Sequence, residues 1–371
     1  MANKNIRSLS SRKGLENNLF EKIADLSGKN ANEEDFHELS KQFMIDDSVV
    51  FGTASFYDFI KPEGRSKKIR VCNGTACMVA QSQDNTIDLV SRQFASDEIG
   101  HVACVGRCHS NGAVMFEDKT YSIDSENELK KVLSATADSD SFENKYSIGC
   151  ITTPILTSEI KDIKAFFGLA NHFAAKKEQL IQELKTSNLR GRGGAGFPFW
   201  FKLDAVEKEK SGQKYIVCNA DEGDPGAYSD MYLMEHQPYK VLFGMYVSGI
   251  CVGADTGVLY IRGEYPDSVR SVHRAIEFLN DNELLSGFKF KIIKGQGSYV
   301  CGEETALLNS IEGLRPEVRV RPPYPAQYGL FGKPTVLSNV ETFANLHWIL
   351  DQGGAAFAAL GTSQSTGTKL V

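Results

Sequence analysis

The chain has 371 residues, of which 42% are hydrophobic and 24% charged, and its net charge is −6. That length allows two or three domains with their own cores, and the acidic balance argues against a general nucleic-acid binder, which normally presents a basic surface. No apolar run reaches the roughly eighteen residues that a membrane-spanning helix needs. The polar start lacks the apolar core of a secretory signal, so we expect a cytoplasmic protein.

The first predicted elements are helices, over residues 15–60. Apolar residues recur every three or four positions from Leu15 to Leu26, the spacing of an amphipathic helix. A second such stretch runs from about Glu33 to Phe43. The segment KPEGRSK then ends this unit, and we take residues 1–66 as a helical N-terminal segment.

A compact α/β domain is predicted next, over residues 67–137. A short strand, IRVC, precedes a cysteine loop and a helix around 78–95. A strand near HVAC, a second cysteine loop, a strand at 113–117 and a helix at 126–134 complete the unit. The polar stretch 135–144, rich in Ser and Asp, is the clearest boundary in the chain.

Four of the eight cysteines form two close pairs in these loops. Cys72 and Cys77 are separated by four residues, and Cys104 and Cys108 by three. A disulfide framework is not expected without an export signal. Four thiolates on two glycine-containing loops suit a [2Fe–2S] cluster. The spacing leaves open tetrahedral zinc, which favours two-residue spacings, and four unligated cysteines.

The motifs VCNGTAC and HVACVGRC closely resemble those of the thioredoxin-like [2Fe–2S] domain in the 24 kDa subunit of NADH:quinone oxidoreductase, complex I. The resemblance covers roughly residues 15–135. It implies a thioredoxin-like fold and a two-iron cluster on Cys72, Cys77, Cys104 and Cys108. His109, beside the last of these, is interpreted as a surface residue.

Residues 138–360 are predicted to form a second α/β domain with a largely parallel sheet. Segments 214–219, 257–263 and 288–295 are dense in β-branched and aromatic residues, and a helix around 266–281 separates the last two. Residues 361–371 end without a terminating element, and we interpret them as the start of a truncated following domain.

A glycine-rich loop, LRGRGGAGFP, occupies residues 189–198. Its glycines fit the dinucleotide fingerprint, but a helix precedes them where a Rossmann loop requires a strand. The loop therefore predicts close backbone approach to a phosphate or a flat ring, with Phe197 as a stacking residue. A flexible glycine turn is the alternative.

Two further loops carry carboxylates. CNADEGDPGAY, residues 218–228, follows a strand, and carboxylates at the carboxyl edge of a parallel sheet lie where α/β proteins bind ligands. GQGSYVCGEETALLNSIEG, residues 295–313, leads into a helix whose start favours a phosphate. The alternatives are a solvated acidic turn and carboxylates that merely complement the helix dipole. An aromatic, Pro-rich loop at 321–345 is predicted to lead into a helix capped near Asn339.

Together these loops resemble, over about 150–360, the FMN- and NADH-binding 51 kDa subunit of complex I and the diaphorase subunits of NAD-reducing hydrogenases and formate dehydrogenases. The resemblance implies a Rossmann-like fold. It implies FMN contacts by Gly191, Lys202, Asn219, Asp221, Glu222, Gly302, Glu303 and Asn339, and nucleotide contacts by Phe197, Glu304, Arg321 and Tyr324. We also assign to the cofactor site Arg192, Gly193, Gly194, Gly196, Asp224, Tyr299 and Ser338. Cys301 is interpreted as a packing residue.

Some positions depart from that pattern. Phe199 and Trp200 are bulky and are expected to alter the wall after the glycine loop, and Ala205 stands where an aromatic often stacks on adenine. Asp224 replaces a Glu that discourages NADPH, which leaves the choice between NADH and NADPH open. Ser338 replaces an Asn, which removes one FMN contact.

The fusion of both modules is typical of the diaphorase subunit of bidirectional hydrogenases. The resemblance implies hydride transfer between NAD(H) and FMN and one-electron transfer to iron–sulfur clusters, without a catalytic acid, base or nucleophile. A [4Fe–4S] cluster is expected only in a C-terminal part that this chain lacks. The expected partners are ferredoxin-like, hydrogenase or dehydrogenase subunits. The alternatives are a complex I or formate dehydrogenase subunit, a non-catalytic scaffold with a degenerate flavin site, and a zinc module.

Overall fold

A computed structural model of the chain describes residues 14–29, 31–61, 63–65, 67–134 and 147–371. The predicted linker at 135–144 and residues 1–13 of the polar start lie outside the described residues. The helices and strands form three parts: the N-terminal segment (residues 14–66), the cysteine domain (67–134) and the glycine-loop domain (147–360).

The N-terminal segment consists of three helices: α1 (Leu19–Gly28), α2 (Glu33–Phe43) and α3 (Asp47–Ala54). Side-chain caps define their starts, since the Asn18 side chain accepts from Glu21 N and Asn32 forms a reciprocal capping box with Asp35. The amphipathic pattern that predicted this region is therefore confirmed.

The cysteine domain has a four-stranded sheet in the order β2-β1-β3-β4. Strand β1 pairs in parallel with β2 and antiparallel with β3. The elements are β1 (Ile69–Cys72), α4 (Thr75–Val79), α5 (Gln83–Ser91), β2 (Ile99–Val102), β3 (Ala113–Phe116), β4 (Lys119–Ser122) and α6 (Glu126–Ser134). The single helix predicted around 78–95 is wrong: Gln81 has a left-handed φ of 54°, which divides the region into α4 and α5.

The glycine-loop domain has a parallel four-stranded sheet in the order β7-β6-β5-β8. Its elements are α7 (Ile163–Ala174), α8 (Lys177–Ser187), α9 (Phe199–Lys208), β5 (Tyr215–Ala220), α10 (Ser229–His236), α11 (Pro238–Val252), β6 (Thr256–Ile261), α12 (Pro266–Asp281), β7 (Lys289–Lys294), α13 (Glu304–Ile311), α14 (Pro325–Tyr328), β8 (Thr335–Asn339), α15 (Val340–Ala344), α16 (Leu346–Gln352) and α17 (Gly354–Ala358). The predicted parallel sheet is confirmed. The interpretation of 321–345 as a loop missed β8.

The N-terminal segment packs on the sheet of the glycine-loop domain rather than standing apart. One core joins Leu19, Phe20 and Tyr57 to Tyr260 and Leu307 of that domain. Buried hydrogen bonds also cross this contact, since Tyr57 Oη lies 2.7 Å from Ser310 Oγ and Asn18 Nδ2 donates to the Ile311 carbonyl. The other face of the sheet is covered by a helical core built around α11, almost every residue of which is buried.

No helix among the described residues is both long and apolar enough to cross a membrane. The divisions at 66, 137 and 360 stay predictions, because the first two parts share side chains in a common core.

Candidate functional site

The order of the parallel strands creates a crevice at one edge of the glycine-loop domain. The chain passes from β5 to β6 and β7 on one side, and then returns to place β8 on the other side of β5. Ligands of open α/β sheets bind at such a reversal, outside the carboxyl ends of the strands. Here that position lies between Asn219 and Asn339, which are paired in register at the ends of β5 and β8.

The glycine loop closes one side of this crevice. Its base is narrow, since Gly191 N donates to the Phe197 carbonyl at 2.8 Å. Gly194 and Gly196 have φ values of 109° and 60°, and a Cβ on either would meet nothing within 4 Å. A Cβ on Gly193, in contrast, would lie 3.1 Å from Asn339 Cβ. Gly193 thus lies against the end of β8, whereas the space beside Gly194 and Gly196 is open.

The loop at residues 218–228, called the acidic loop below, meets the loop before α13 on the other side of the crevice. Asn219 Nδ2 donates to the Gly302 carbonyl at 2.8 Å, and Asp221 N donates to Asn219 Oδ1. Tyr299, which is 72% exposed, donates from its hydroxyl to Asp224 Oδ1 at 2.8 Å. Segments 191–197, 219–224 and 302–304, which hold many of the predicted site residues, are therefore brought together at the ends of β5 and β8.

Charged side chains within the crevice are held by one another. Arg321 donates to carboxylate oxygens of Glu303 and Glu304, both at 2.7 Å. Lys202 Nζ lies 3.3 Å from Glu304 Oε2, donates to the Leu337 carbonyl at 2.9 Å, and lies 6.0 Å from the ring centre of Phe197. Phe197 remains 44% exposed beside these charged side chains.

Asp221 stands out because its Oδ2 atom is buried and has no hydrogen-bond partner among the described residues. Burial raises the pKa of this carboxyl to about 8, and the charge of Glu264 adds to the shift. A buried, partnerless oxygen is costly unless a ligand or water satisfies it. The Oδ2 atom of Asp221 is therefore one that a bound ligand or water would stabilise.

Some predicted site residues have other contacts. Glu222 accepts from Ser229 Oγ and from the backbone N–H groups of Asp230 and Met231, so its carboxylate caps α10. Ser338 is buried one residue before Asn339, opposite Cys218 in register.

The glycine loop and the Pro-rich segment hold two more predicted residues. Arg192 turns toward the chain's end, because its Nη2 donates to the Thr366 carbonyl. Tyr324 is 57% exposed in the segment that carries Arg321.

The expectation that Phe199 shapes the crevice wall is wrong. Phe199 is 1% exposed and packs edge-on against Phe343 in the helical core, with ring centres 5.6 Å apart. Trp200 is also turned away, since Lys185 lies 5.2 Å from its ring centre. Phe201 instead contacts Phe197, with ring centres 5.6 Å apart, and is 49% exposed. A helix beginning at Phe199 sets these directions, because consecutive residues lie on different faces.

The sequence did not predict Asp230 and Thr342, which hydrogen-bond to residues that line the crevice. Asn339 Nδ2 donates to Asp230 Oδ2 at 2.6 Å, and burial raises the pKa of Asp230 well above its usual value. Thr342 Oγ1 accepts from Arg192 N at 2.9 Å. Asp230 gave no signal in the sequence, because its contact with Asn339 joins residues far apart in the chain. For Thr342 the sequence signal was the predicted start of a helix at Asn339, three residues earlier.

The two cysteine loops meet because β1 and β2 are parallel and end at the same edge, with Cys72 opposite Val102. Cys104 Sγ and Cys108 Sγ are 3.8 Å apart. Hydrogen bonds between thiols are the main cause of the pKa shifts, which are downward for Cys77 and Cys104 and upward for Cys72 and Cys108. The upward shift in the pKa of Cys72 is caused mainly by Cys104 and then by Cys77, so thiols of the two loops lie near one another.

Backbone N–H groups of glycine face two of these sulfurs. Gly74 N lies 3.3 Å from Cys72 Sγ and Gly106 N lies 3.2 Å from Cys104 Sγ. Within the described residues no three His, Cys, Asp or Glu side chains are grouped for a single metal ion.

The second cysteine loop packs directly on the glycine-loop domain. A Cβ on Gly106 would lie 2.7 Å from the Glu264 carbonyl oxygen. His109 was interpreted as a surface residue, but its ring meets Tyr228 of the acidic loop edge-on, with centres 5.4 Å apart. The second cysteine loop lies in the interface with the glycine-loop domain, and its own sequence does not reveal that interface.

Comparison with known families decides between the alternatives. Residues 184–348 match the Nuo51 FMN-binding domain, and residues 22–137 match the thioredoxin-like [2Fe–2S] ferredoxin domain. The chain carries both of these domains. The second match favours the two-iron cluster over zinc and over unligated cysteines.

Individual relatives agree with this assignment. The chain is 44% identical over 216 residues to the NADP-reducing hydrogenase subunit HndC of Solidesulfovibrio fructosivorans, covering 56% of this chain and 44% of that one. It is 43% identical over 205 residues to the NAD-reducing hydrogenase HoxS subunit alpha of Cupriavidus necator, covering 53% and 34%. It is 42% identical over 204 residues to the mitochondrial NADH dehydrogenase (ubiquinone) flavoprotein 1 of Dictyostelium discoideum, covering 52% and 43%.

A solved structure matches most of the chain. The H₂-reduced state of an NAD⁺-reducing [NiFe]-hydrogenase superposes with a TM-score of 0.82 and 28% identity, covering 94% of this chain and 64% of that one. The curated relatives, in contrast, are matched over less than half of their own length.

The residues present fit the two cofactors that the domains imply. Asp221 Oδ2 offers a buried acceptor for a hydroxyl of FMN, and Gly194 and Gly196 leave open space for it. The four thiols with two N–H donors fit a [2Fe–2S] cluster.

Proposed function

We propose that the chain is the NADH:acceptor oxidoreductase (diaphorase) module of an NAD-reducing hydrogenase. In this role it transfers hydride reversibly between NAD(H) and FMN, and single electrons pass to iron–sulfur clusters. The observation that carries the proposal is the direct contact between the two sites. The acidic loop of the crevice touches the second cysteine loop through Tyr228 and His109, and the chain after β6 touches it through Glu264 and Gly106.

The protein's own part in this reaction is to bind and orient two flat ring systems. FMN supplies the hydride chemistry when bound. Asp221 and Asn219 border the crevice where hydroxyls would lie, and Phe197 presents an exposed ring at its mouth. Arg321 and Lys202 neutralise Glu303 and Glu304, which lowers the repulsion that an anionic dinucleotide would meet.

A complex I-type role is the second candidate, because the chain is as similar to NADH-quinone oxidoreductase subunits as to the hydrogenase subunits. The choice of nucleotide is also a proposal, since the relative HndC is named as NADP-reducing. Asp224 is held by Tyr299 near the crevice, so we expect its charge to disfavour the additional phosphate of NADPH.

The test is purification of the full-length protein with its co-eluting partners, followed by flavin, iron and activity measurements. The expected result is one FMN and a two-iron cluster, NADH-dependent reduction of ferricyanide, and hydrogenase or iron–sulfur subunits among the partners. A colourless protein that leaves ferricyanide unreduced with NADH would rule the proposal out. Co-purification with quinone-reducing subunits would instead favour the second candidate.

A further inference from the structure

A buried ion pair lies between the two sites and belongs to neither predicted set. Arg262 and Glu264 follow β6, and each is only 6% exposed. Arg262 Nη2 donates to Glu264 Oε1 at 2.9 Å, and its Nη1 donates to the Glu222 carbonyl of the acidic loop. The guanidinium also lies 4.9 Å from the ring centre of Tyr265. Arg262 therefore fastens the acidic loop to the end of β6.

The same short segment supports the second cysteine loop. Gly106 has a left-handed φ of 76°, and a Cβ there would lie 2.7 Å from the Glu264 carbonyl oxygen and 3.1 Å from the Tyr265 ring. Only a glycine allows the loop to approach this closely. The interface between the two domains is thus formed by the segment that carries the ion pair.

The Arg262 guanidinium lies over the Tyr265 ring, and that ring closely approaches Gly106, between Cys104 and Cys108. Arg262 also acts electrostatically on both of these cysteines, the ligands implied on the second loop. On the crevice side, Glu264 and Arg262 act on Asp221 with opposite signs. Glu264 Oε2 has no hydrogen-bond partner among the described residues. Arg262 is therefore a buried cation placed beside the second cysteine loop.

We propose that Arg262 is a positioning residue that sets the reduction potential of the [2Fe–2S] cluster from the neighbouring domain, with Glu264 as its counter-charge. The inference rests on the proposed function, which supplies the cluster. Reduction adds one negative charge to the cluster, and a nearby buried cation stabilises that charge because the surrounding dielectric is low. Arg262 thus raises the potential, and Glu264 limits the rise.

The test uses the full-length protein and redox titration of the cluster's EPR signal. Arg262→Gln removes the positive charge, and we expect the potential to fall by a tenfold change in the equilibrium constant, about 59 mV for one electron. Glu264→Gln removes the counter-charge and should raise the potential. Arg262→Lys keeps the charge and should stay near the wild-type value. Lys68→Gln, which alters an exposed ion pair with Glu98 on the cysteine domain, is the matched control.

Opposite signs separate the electrostatic role from a structural one. If Arg262→Gln and Glu264→Gln shifted the potential in the same direction, or if Arg262→Lys behaved like Arg262→Gln, the inference would be overturned. Flavin content and the NADH–ferricyanide rate, measured on the same samples, report on the crevice separately. A wild-type protein without a two-iron signal would remove the proposed function itself, and the inference with it.

Discussion

The FMN crevice and the cysteine loops are both built where parallel strands end, but they control charge differently. In the crevice, side chains neutralise one another, as Arg321 does for Glu303 and Glu304. At the cysteine loops, backbone N–H groups face the sulfurs, and Arg107 is turned toward Ser122 and Thr120 of β4. Arg262, a cation that acts on Cys104, belongs to the glycine-loop domain.

This difference predicts different responses to substitution. A cluster held by four covalent ligands is lost when one ligand is removed. A crevice formed by many weak side-chain contacts should lose function gradually, since each contact contributes about 1 kcal/mol.

The largest effect is expected for Cys104→Ala. Removing one of four thiolates should abolish the two-iron EPR signal and reduce bound iron, while FMN and NADH–ferricyanide activity stay within about twofold, because the crevice has its own contacts. Cys150→Ser is the matched control, since Cys150 is exposed and its thiol donates to the Thr152 carbonyl. Loss of flavin together with iron would show that the two sites are not separable.

A graded loss of FMN is expected for Gly196→Val. A β-branched residue at a φ of 60° is strained, at a cost of order 1–3 kcal/mol. That cost corresponds to a roughly 5- to 150-fold rise in the FMN dissociation constant if the loop must relax on binding. Fluorescence titration of the flavin-free protein measures it. Gly168→Ala, in helix α7 with open space around it, should leave the constant unchanged.

The elements themselves were largely predictable from local pattern. The helix predicted at 266–281 has the bounds found in the structure, since Pro266 is a favourable first residue and an apolar face continues from it. The strand IRVC was also correct. These features depend on residues close in sequence, so one sequence contains the information.

Long-range features were harder to predict. Strand β8 was missed because TVLSN is short and follows a Pro-rich segment, and its partner β5 lies over a hundred residues earlier. Arg262 was missed because its role depends on a loop from another domain. Arg262 nevertheless follows a buried parallel strand, as the acidic loop does. The rule that ligand sites lie at the carboxyl ends of such strands would therefore have indicated it.

A smaller, kinetic effect is expected for Arg321→Gln. Without the guanidinium, Glu303 and Glu304 lose a cation that lies 2.7 Å from each, and their charge should repel an anionic dinucleotide. Arg321 is about one-third exposed, so solvent screens part of the effect. We expect the KM for NADH to rise about three- to tenfold, with kcat within twofold. Arg315→Gln, at an exposed pair with Glu317, is the control, and an equal change in KM there would argue against the assignment.

A pH-dependent effect on the stability of the flavin-free protein is expected from Asp221. Burial raises the pKa of its carboxyl from 3.8 to about 8. The folded state therefore keeps a proton that the unfolded state releases once the pH exceeds about 4. The stabilisation is complete below that pH and is lost as the pH rises toward 8, so the flavin-free protein should become less stable across this window.

Asp221→Asn removes the titrating group and keeps its shape, so it should flatten that part of the pH dependence. Urea unfolding at pH 5 and pH 8 gives the free energy of unfolding of the flavin-free wild type and variant. The difference between the two proteins should change by on the order of 3–4 kcal/mol between these pH values. The sign is decisive. If the wild type gained stability relative to the variant as the pH rose, Asp221 would be ionised in the folded protein, held by Arg262 more strongly than burial opposes it. Asp221 would then be held by a cation, as Glu303 and Glu304 are held by Arg321.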